Sequence, residues 1–327
     1  MARLPKIVAL LAPFLLTACQ ALSGTRALDT AIADPKTNRV PITRLDTGLL
    51  SVPLTFADGT SAPFILDTGA TMSVLFADRS NQIGTVTQES VRIHGMFDSR
   101  LAGLTTLPDV SIGRQTLGDV RMAILPPRKL SPTPAWGIIG MDLLERFRLF
   151  RPKDEDTLFL FPVTDAPVDL PPHWATIELS PNPYAQTDSA RRLRFMNVRL
   201  AGRLAPALLD TGLSFSLMSY HFATLPQLKH HRQQHKRRFR IEGALDTYRP
   251  KLRVSNISFR AGTRHWKSQS FVVQDIESLG ILGLEDRPFL IAGINLFADE
   301  SFYLDVSENV LRMPQSTKIA GKRSAKP

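Results

Sequence analysis

One segment occurs twice in this chain. "APFILDTGATMSV" runs from Ala62 to Val74 and "APALLDTGLSFSL" from Ala205 to Leu217. Each centres on Asp-Thr-Gly, and the two aspartates, Asp67 and Asp210, stand 210 − 67 = 143 residues apart. The match extends upstream. Pro63 and Pro206 each lie four residues before their Asp, and Gly59 and Gly202 each lie eight before it. A repeat of this kind has to be recognised before a fold is assigned, because duplicated units pack as copies of one design.

Around the repeats the texture is β-like. "LLSVPLTFADGTSAPFIL" from Leu49 has two apolar runs about an Asp58-Gly59 turn, and "RFMNVRLAGRLAPALL" has the same form about Gly202; both predict hairpins. Further short strands follow, broken by Gly and Pro. The clearest helical stretch is short, "MDLLERFRLF" over Met141 to Phe150, and runs toward a strand. With 327 residues, 43% of them hydrophobic, the chain can build two medium lobes with real cores. "VTDAPVDLPPHW" over Val163 to Trp174, with three prolines, reads as the linker between them.

An Asp-Thr-Gly turn at a strand end has a definite chemical use. The triplets Phe64-Ile65-Leu66 and Ala207-Leu208-Leu209 can bury a strand, so that Asp67 and Asp210 emerge from its end. Gly69 and Gly212 permit close approach of neighbouring chain and can aim an N–H at the carboxylate. Thr68 and Thr211 offer short hydroxyls. Thr71 and Ser214, four residues past each Asp, can reach back to it. One copy is an ordinary turn. Two copies packed about a pseudo-twofold axis bring the carboxylates together, where both cannot ionise easily and they share a proton. The ionised partner can take a proton from water while the protonated one polarises a carbonyl. That is peptide hydrolysis by general acid–base catalysis, with neither metal nor cofactor.

On these residues the chain resembles aspartic proteases of the retropepsin/pepsin type. A second pair of motifs carries the resemblance further: Ile138-Ile139-Gly140 and Ile291-Ala292-Gly293 match the apolar-apolar-Gly strand that frames each Asp loop in that family. They follow their aspartates by 140 − 67 = 73 and 293 − 210 = 83 residues, and the likeness spans about residues 48 to 314. It implies a mostly β, two-lobed acid-protease β-barrel fold with an internal pseudo-twofold duplication and few short helices. It implies an aspartic endopeptidase with Asp67 and Asp210 as the catalytic dyad, acting on a peptide or protein substrate. Thr68 and Thr211 then cross-link the lobes, and Gly69 and Gly212 donate backbone N–H groups to the carboxylates. A hairpin flap closes over the substrate; the candidates centre on Gly95 and Gly243, and neither has the pepsin-type tyrosine at an obvious place. Pepsins place a hydroxyl residue directly after Asp-Thr-Gly, whereas Ala70 and Leu213 stand here, as Ala does in retroviral proteases. Fewer hydrogen bonds to the ionised pair predict a mildly rather than strongly acidic optimum. Both half-sites lie in one chain, so a monomer suffices. The alternative is a catalytically inactive relative that binds peptides or envelope proteins in the same cleft.

The N-terminus predicts the location. Arg3 and Lys6 precede an uncharged apolar run, Ile7 to Ala18, too short to span a bilayer and laid out as a secretory signal. "LTAC", Leu16 to Cys19, resembles a bacterial lipoprotein signal, which implies cleavage before Cys19 and a lipid on its sulfur. Gln20 in place of Asp favours the outer membrane. The expected organisation is a signal over 1–18, a flexible tether over 19–45, a first lobe over 46–162, the linker over 163–174, a second lobe over 175–314 and a basic disordered tail over 315–327. The chain is placed on the periplasmic face of a bacterial envelope, away from nucleic acid despite its net charge of +10. The basic stretch "LKHHRQQHKRRFR" over Leu228 to Arg240 reads as a solvated surface; His231 and His235 have helical ligand spacing, but no carboxylate or thiolate accompanies them.

Overall fold

The computed structural model describes residues 26–79, 85–96, 99–126, 135–182, 184–185, 187–234, 241–242, 247–276, 279–284 and 287–315. Cys19 with its signal, Gly243 and the C-terminal tail beyond 315 lie outside them. We number the principal strands β1 (Asn38–Pro41), β2 (Leu50–Thr55), β3 (Ser61–Leu66), β4 (Val74–Phe76), β5 (Thr85–His94), β6 (Ser99–Ile112), β7 (Gln115–Leu125), β8 (Gly137–Ile139), β9 (Phe147–Arg151) and β10 (Thr157–Pro162) in the first half. The second half has β11 (Trp174–Pro181), β12 (Arg194–Leu200), β13 (Arg203–Asp210), β14 (Leu217–Met218), β15 (Leu252–Ala261), β16 (Arg264–Val273), β17 (Leu290–Gly293), β18 (Phe302–Asp305) and β19 (Val310–Pro314).

Both hairpins read from the repeat form. β2 and β3 pair antiparallel about a turn in which Gly59 takes a φ of 81° and Asp58 accepts the Thr60 N–H at 2.9 Å. β12 and β13 pair across Ala201 and Gly202, whose φ values of 49° and 79° suit the two-residue turn that matches strand twist.

The duplication is also topological. The first lobe orders its strands β2-β3-β8-β4-β7-β6-β5, with β2 also pairing β6. The second orders the equivalents β12-β13-β17-β14-β16-β15, with β12 also pairing β15. In each lobe that extra pairing curls the sheet toward a barrel, and apolar side chains such as Phe64, Leu75, Phe271 and Phe289 fill the interior. Among the described residues, helix is confined to short pieces: the stretch after Gly140 is helical only over Met141–Leu144 before β9 begins.

Between the barrels runs a shared sheet in the order β11-β19-β18-β9-β10-β1. Its centre is the junction of β9 from one half with β18 from the other, where Leu149 faces Leu304. There Arg148 and Asp305, both nearly fully buried, form an ion pair at 2.9 Å. The Arg148 guanidinium also donates to the carbonyls of Pro162, Val163 and Asp165, and Asp305 accepts from the Ser307 hydroxyl and the Glu308 N–H.

The tether expected over 19–45 needs correction for its described part. Residues 26–45 are folded: Leu28 and Ala31 of a short helix (Leu28–Ala33) pack on Phe150, Phe159 and Phe161, and β1 adds to the free edge of β10. Val40 is 0% exposed, and the buried Asn38 bonds the Ile112 carbonyl and the Arg114 N–H. Polar residues and Pro35 and Pro41 masked this strand in the sequence, yet its alternate residues face inward. β1 flanks the β9–β10 hairpin as β11 flanks β18–β19, so the duplicated unit begins before residue 46. Among the described residues, no helix is long and apolar enough to cross a membrane.

Candidate active site

Each Asp loop is built on three strands. β3 runs parallel to β8, pairing Phe64, Ile65 and Leu66 with Gly137, Ile138 and Ile139; the Asp67 N–H then donates to the Ile139 carbonyl at 3.0 Å. The chain turns at Asp67–Gly69 and returns as β4, antiparallel to the other side of β8. In the second lobe β13 pairs parallel with β17, aligning Asp210 with Gly293, and β14 returns antiparallel to β17. Each loop is therefore held by a strand threaded through it.

This threading explains the second glycine of each half. A Cβ on Gly140 would lie 2.7 Å from the Met72 carbonyl carbon, and one on Gly293 would lie 2.7 Å from the Leu213 oxygen. Only glycine lets the framing strand come so close to the loop.

The two loops meet reciprocally. The Thr68 hydroxyl donates to the Leu209 carbonyl at 2.8 Å and accepts the Thr211 N–H at 3.1 Å. The Thr211 hydroxyl donates to the Leu66 carbonyl at 2.9 Å and accepts the Thr68 N–H at 3.1 Å. Both threonines are buried, so four cross-lobe hydrogen bonds form away from water. Above them, the Gly69 N–H donates to Asp67 Oδ1 at 2.8 Å and the Gly212 N–H to Asp210 Oδ1 at 2.9 Å. Each glycine also lies against the opposite carboxyl group. A Cβ on Gly69 would sit 2.5 Å from Asp210 Cγ, and one on Gly212 would overlap the Asp67 carboxyl.

Asp67 and Asp210 are thus brought face to face. Burial first, then the Asp67 charge and a hydrogen bond with Asp67, push the Asp210 carboxyl well above the ordinary aspartate range. The Gly212 and Leu213 amides pull the other way and are outweighed. A pair in which one carboxyl keeps its proton while its neighbour is ionised can act as acid and base at once.

Among the described residues, neither Thr71 nor Ser214 hydrogen-bonds a dyad carboxylate, which corrects the support expected of them. Thr71 lines the cleft instead. The loop turns away after the glycine because the Ala70 and Leu213 carbonyls are taken by the Met141 and Ile294 N–H groups. The hydroxyls that matter lie two residues later. Ser73 and Ser216, both 0% exposed, accept the Gly140 and Gly293 N–H groups at 3.0 Å and bond Asp142 and Asn295 at 2.8 and 2.9 Å. They stand six residues past each Asp in "DTGATMS" and "DTGLSFS", so the repeat alignment contained the signal. Burial raises the Asp142 carboxyl, and the hydrogen bonds with Ser73 oppose that shift without cancelling it.

A cleft of about 310 Å³ opens over the dyad. Its walls are largely apolar: Met72, Val74, Leu125 and Ile138 from the first lobe, Leu193, Leu213, Ile276 and Leu282 from the second. Gly95 and Met96, at the end of β5, line it from above, and Met96 packs on the second lobe's apolar cluster around Leu213 and Leu282. Of the two flap candidates, Gly95 therefore borders the site, while Gly243 falls outside the described residues. The segment Thr187–Leu193, which sequence reasoning missed, supplies part of the second wall. Among the described residues, no group of three or more His, Cys, Asp or Glu is placed to hold a metal; the His231 ring contacts the Ser255 carbonyl, and His235 is outside the described residues.

A family model described as aspartyl protease matches residues 52–143, which include the first Asp-Thr-Gly and Ile138-Ile139-Gly140. The structure is similar to the aspartic proteinase from Irpex lacteus, at 15% identity and a TM-score of 0.55, over 87% of this chain and 99% of that one. It is also similar to conglutin gamma, a basic 7S globulin from lupine seeds, at 10% identity and a TM-score of 0.52, over 87% of this chain and 96% of the globulin. No curated protein matches the sequence. The architecture is the two-lobed, mostly β aspartic protease fold.

Proposed function

We propose that this chain is an aspartic endopeptidase. One observation carries the reading: two carboxyl groups from repeated loops face each other, each held by its own glycine N–H, with Asp210 strongly biased toward its protonated form. Asp210 protonated and Asp67 ionised is the division of labour that this bias favours. Asp67 takes a proton from a water held between the carboxyls as the water oxygen attacks the peptide carbonyl carbon. Asp210 donates its proton to the carbonyl oxygen. Collapse of the resulting tetrahedral species returns a proton to the leaving nitrogen and breaks the C–N bond. The substrate lies extended beneath the β5–β6 hairpin, with apolar side chains against the cleft walls.

Anchoring forms part of the proposal. Cleavage before Cys19 and lipid on its sulfur hold the two-lobed body on the periplasmic face of a bacterial envelope. Labelling with a radioactive fatty acid should mark the wild type and not Cys19→Ala; equal labelling would remove the anchor.

The fold is shared with a seed globulin as well as a proteinase, so fold alone does not imply hydrolysis. The alternative is an inactive lipoprotein that holds peptides in the same cleft. Cleavage of a mixed peptide library separates the two. Asp67→Asn should lower turnover by about 10²–10⁴-fold, the usual worth of general acid–base catalysis. A pepstatin-like inhibitor should block the wild type. Identical product profiles for wild type and Asp67→Asn would leave only the binding role.

A further inference from the structure

The outer face of the second lobe carries a row of cations across adjacent strands. Leu204 of β13 faces Arg199 of β12, Arg199 faces Arg260 of β15, and Arg260 faces His265 of β16. Lys267 stands two residues along β16 and so shares that face. Arg199, Arg260 and Lys267 are exposed, and among the described residues none has an ion pair or a side-chain hydrogen bond. His265 feels the result: burial, then the charges of Arg260 and Lys267, lower its pKa.

Like charges directly opposite each other destabilise a sheet. The row therefore works against the free protein and is relieved when something anionic covers it. Two of its members, Arg260 and Lys267, belong to a wider segregation of charge. Residues 228–267 hold twelve Lys/Arg against two Asp/Glu, and that surplus of ten equals the net charge of +10 of the entire chain. The rest of the sequence is balanced. Among the described residues, none of these cations lines the cleft.

At the end of the row stands Leu204, 59% exposed beside the exposed Arg203 on the β12–β13 hairpin. An apolar side chain at the margin of a cationic sheet face suits a lipid interface, where cations meet headgroup phosphates and a leucine enters the acyl boundary. We propose that this face docks on an anionic membrane surface, with Arg199, Arg260 and Lys267 on lipid phosphates and Leu204 at the interface. The proposal stands independently of peptide hydrolysis.

The test uses the full chain carrying Cys19→Ser, which removes the lipid, and sedimentation with vesicles of phosphatidylcholine alone or mixed with phosphatidylglycerol. Binding should require phosphatidylglycerol and weaken as salt rises. The triple variant Arg199→Glu, Arg260→Glu, Lys267→Glu should bind the anionic vesicles at least tenfold more weakly while cleaving soluble peptides at the wild-type rate. Should that variant fail to fold, Leu204→Ser should still weaken vesicle binding. Equal binding by wild type and each folded variant overturns the proposal, as does equal binding to both vesicle types. Retention on immobilised polyglutamate as tight as on the vesicles, at the same salt, would assign the face to an acidic protein instead.

Discussion

Burial and the facing Asp67 both raise the Asp210 pKa, so folding favours the protonated side chain. The consequence for stability has a sign. Below the ordinary aspartate pKa, near 3.9, folded and unfolded chains both keep this proton and nothing is lost. As pH rises through that value the unfolded chain releases the proton while the folded chain retains it, so stability falls until the raised pKa is passed. Asp210→Asn removes this dependence. The variant should melt higher than the wild type at neutral pH and gain little near pH 3, while losing about 10²–10⁴-fold in cleavage. Thermal unfolding at the two pH values checks it, and an equal gain at both would show that the Asp210 proton is not linked to folding. The same raised pKa predicts an activity profile centred in mildly acidic solution; a peak near pH 2 would contradict it. Glycine is equally specific here. Gly212→Ala sets a methyl group into the Asp67 carboxyl, so it should abolish peptide cleavage although it removes no titratable side chain.

Elements show where a polar sequence deceived. β1 reads as tether because Pro35 and Pro41 bracket it and half its residues are polar, yet Val40 is wholly buried and the strand pairs with β10. Val40→Ala should therefore cost ~2 kcal/mol, by lost burial and a residual cavity. Urea unfolding measures it, and an unchanged midpoint would return residues 38–41 to a tether. The β5–β6 hairpin brings Met96 across the cleft onto the second lobe. Met96→Ser should weaken that contact without adding a charge, lowering kcat/KM while leaving the pH profile of the dyad in place. A shifted profile would instead mean that Met96 acts on the carboxyls themselves.

At the scale of the molecule, the two halves are tied at two levels: the threonine hydrogen bonds beneath the dyad and the Arg148–Asp305 pair in the shared sheet. Breaking the buried pair with Arg148→Ala leaves Asp305 buried without its counter-ion, a loss of about 3–5 kcal/mol. The joint replacement Arg148→Met with Asp305→Leu should restore most of it; a double variant no better than the single one would mean that the loss comes from packing. Both half-sites come from one chain, so specific activity should be constant on dilution, and a steep fall would indicate dimerisation. The Asp-Thr-Gly repeat, the matching apolar-apolar-Gly motifs and the hairpin turns were legible in order of residues alone, because each is a local pattern: a buried triplet, a turn-forming glycine, a fixed spacing. From them the sequence by itself determined the duplicated β architecture and singled out Asp67 and Asp210. Which hydroxyls serve the loops was not local. Thr71 and Ser214 are nearer in sequence, but Ser73 and Ser216 reach the framing strands once those strands thread the loops. Nor was the partner of β1, the pairing of Arg148 with Asp305 157 residues away, or the row that sets Arg199 against Arg260. These were decided only by the tertiary structure, because strand pairing joins distant residues by register, and register is settled by how two whole lobes bury their apolar faces together.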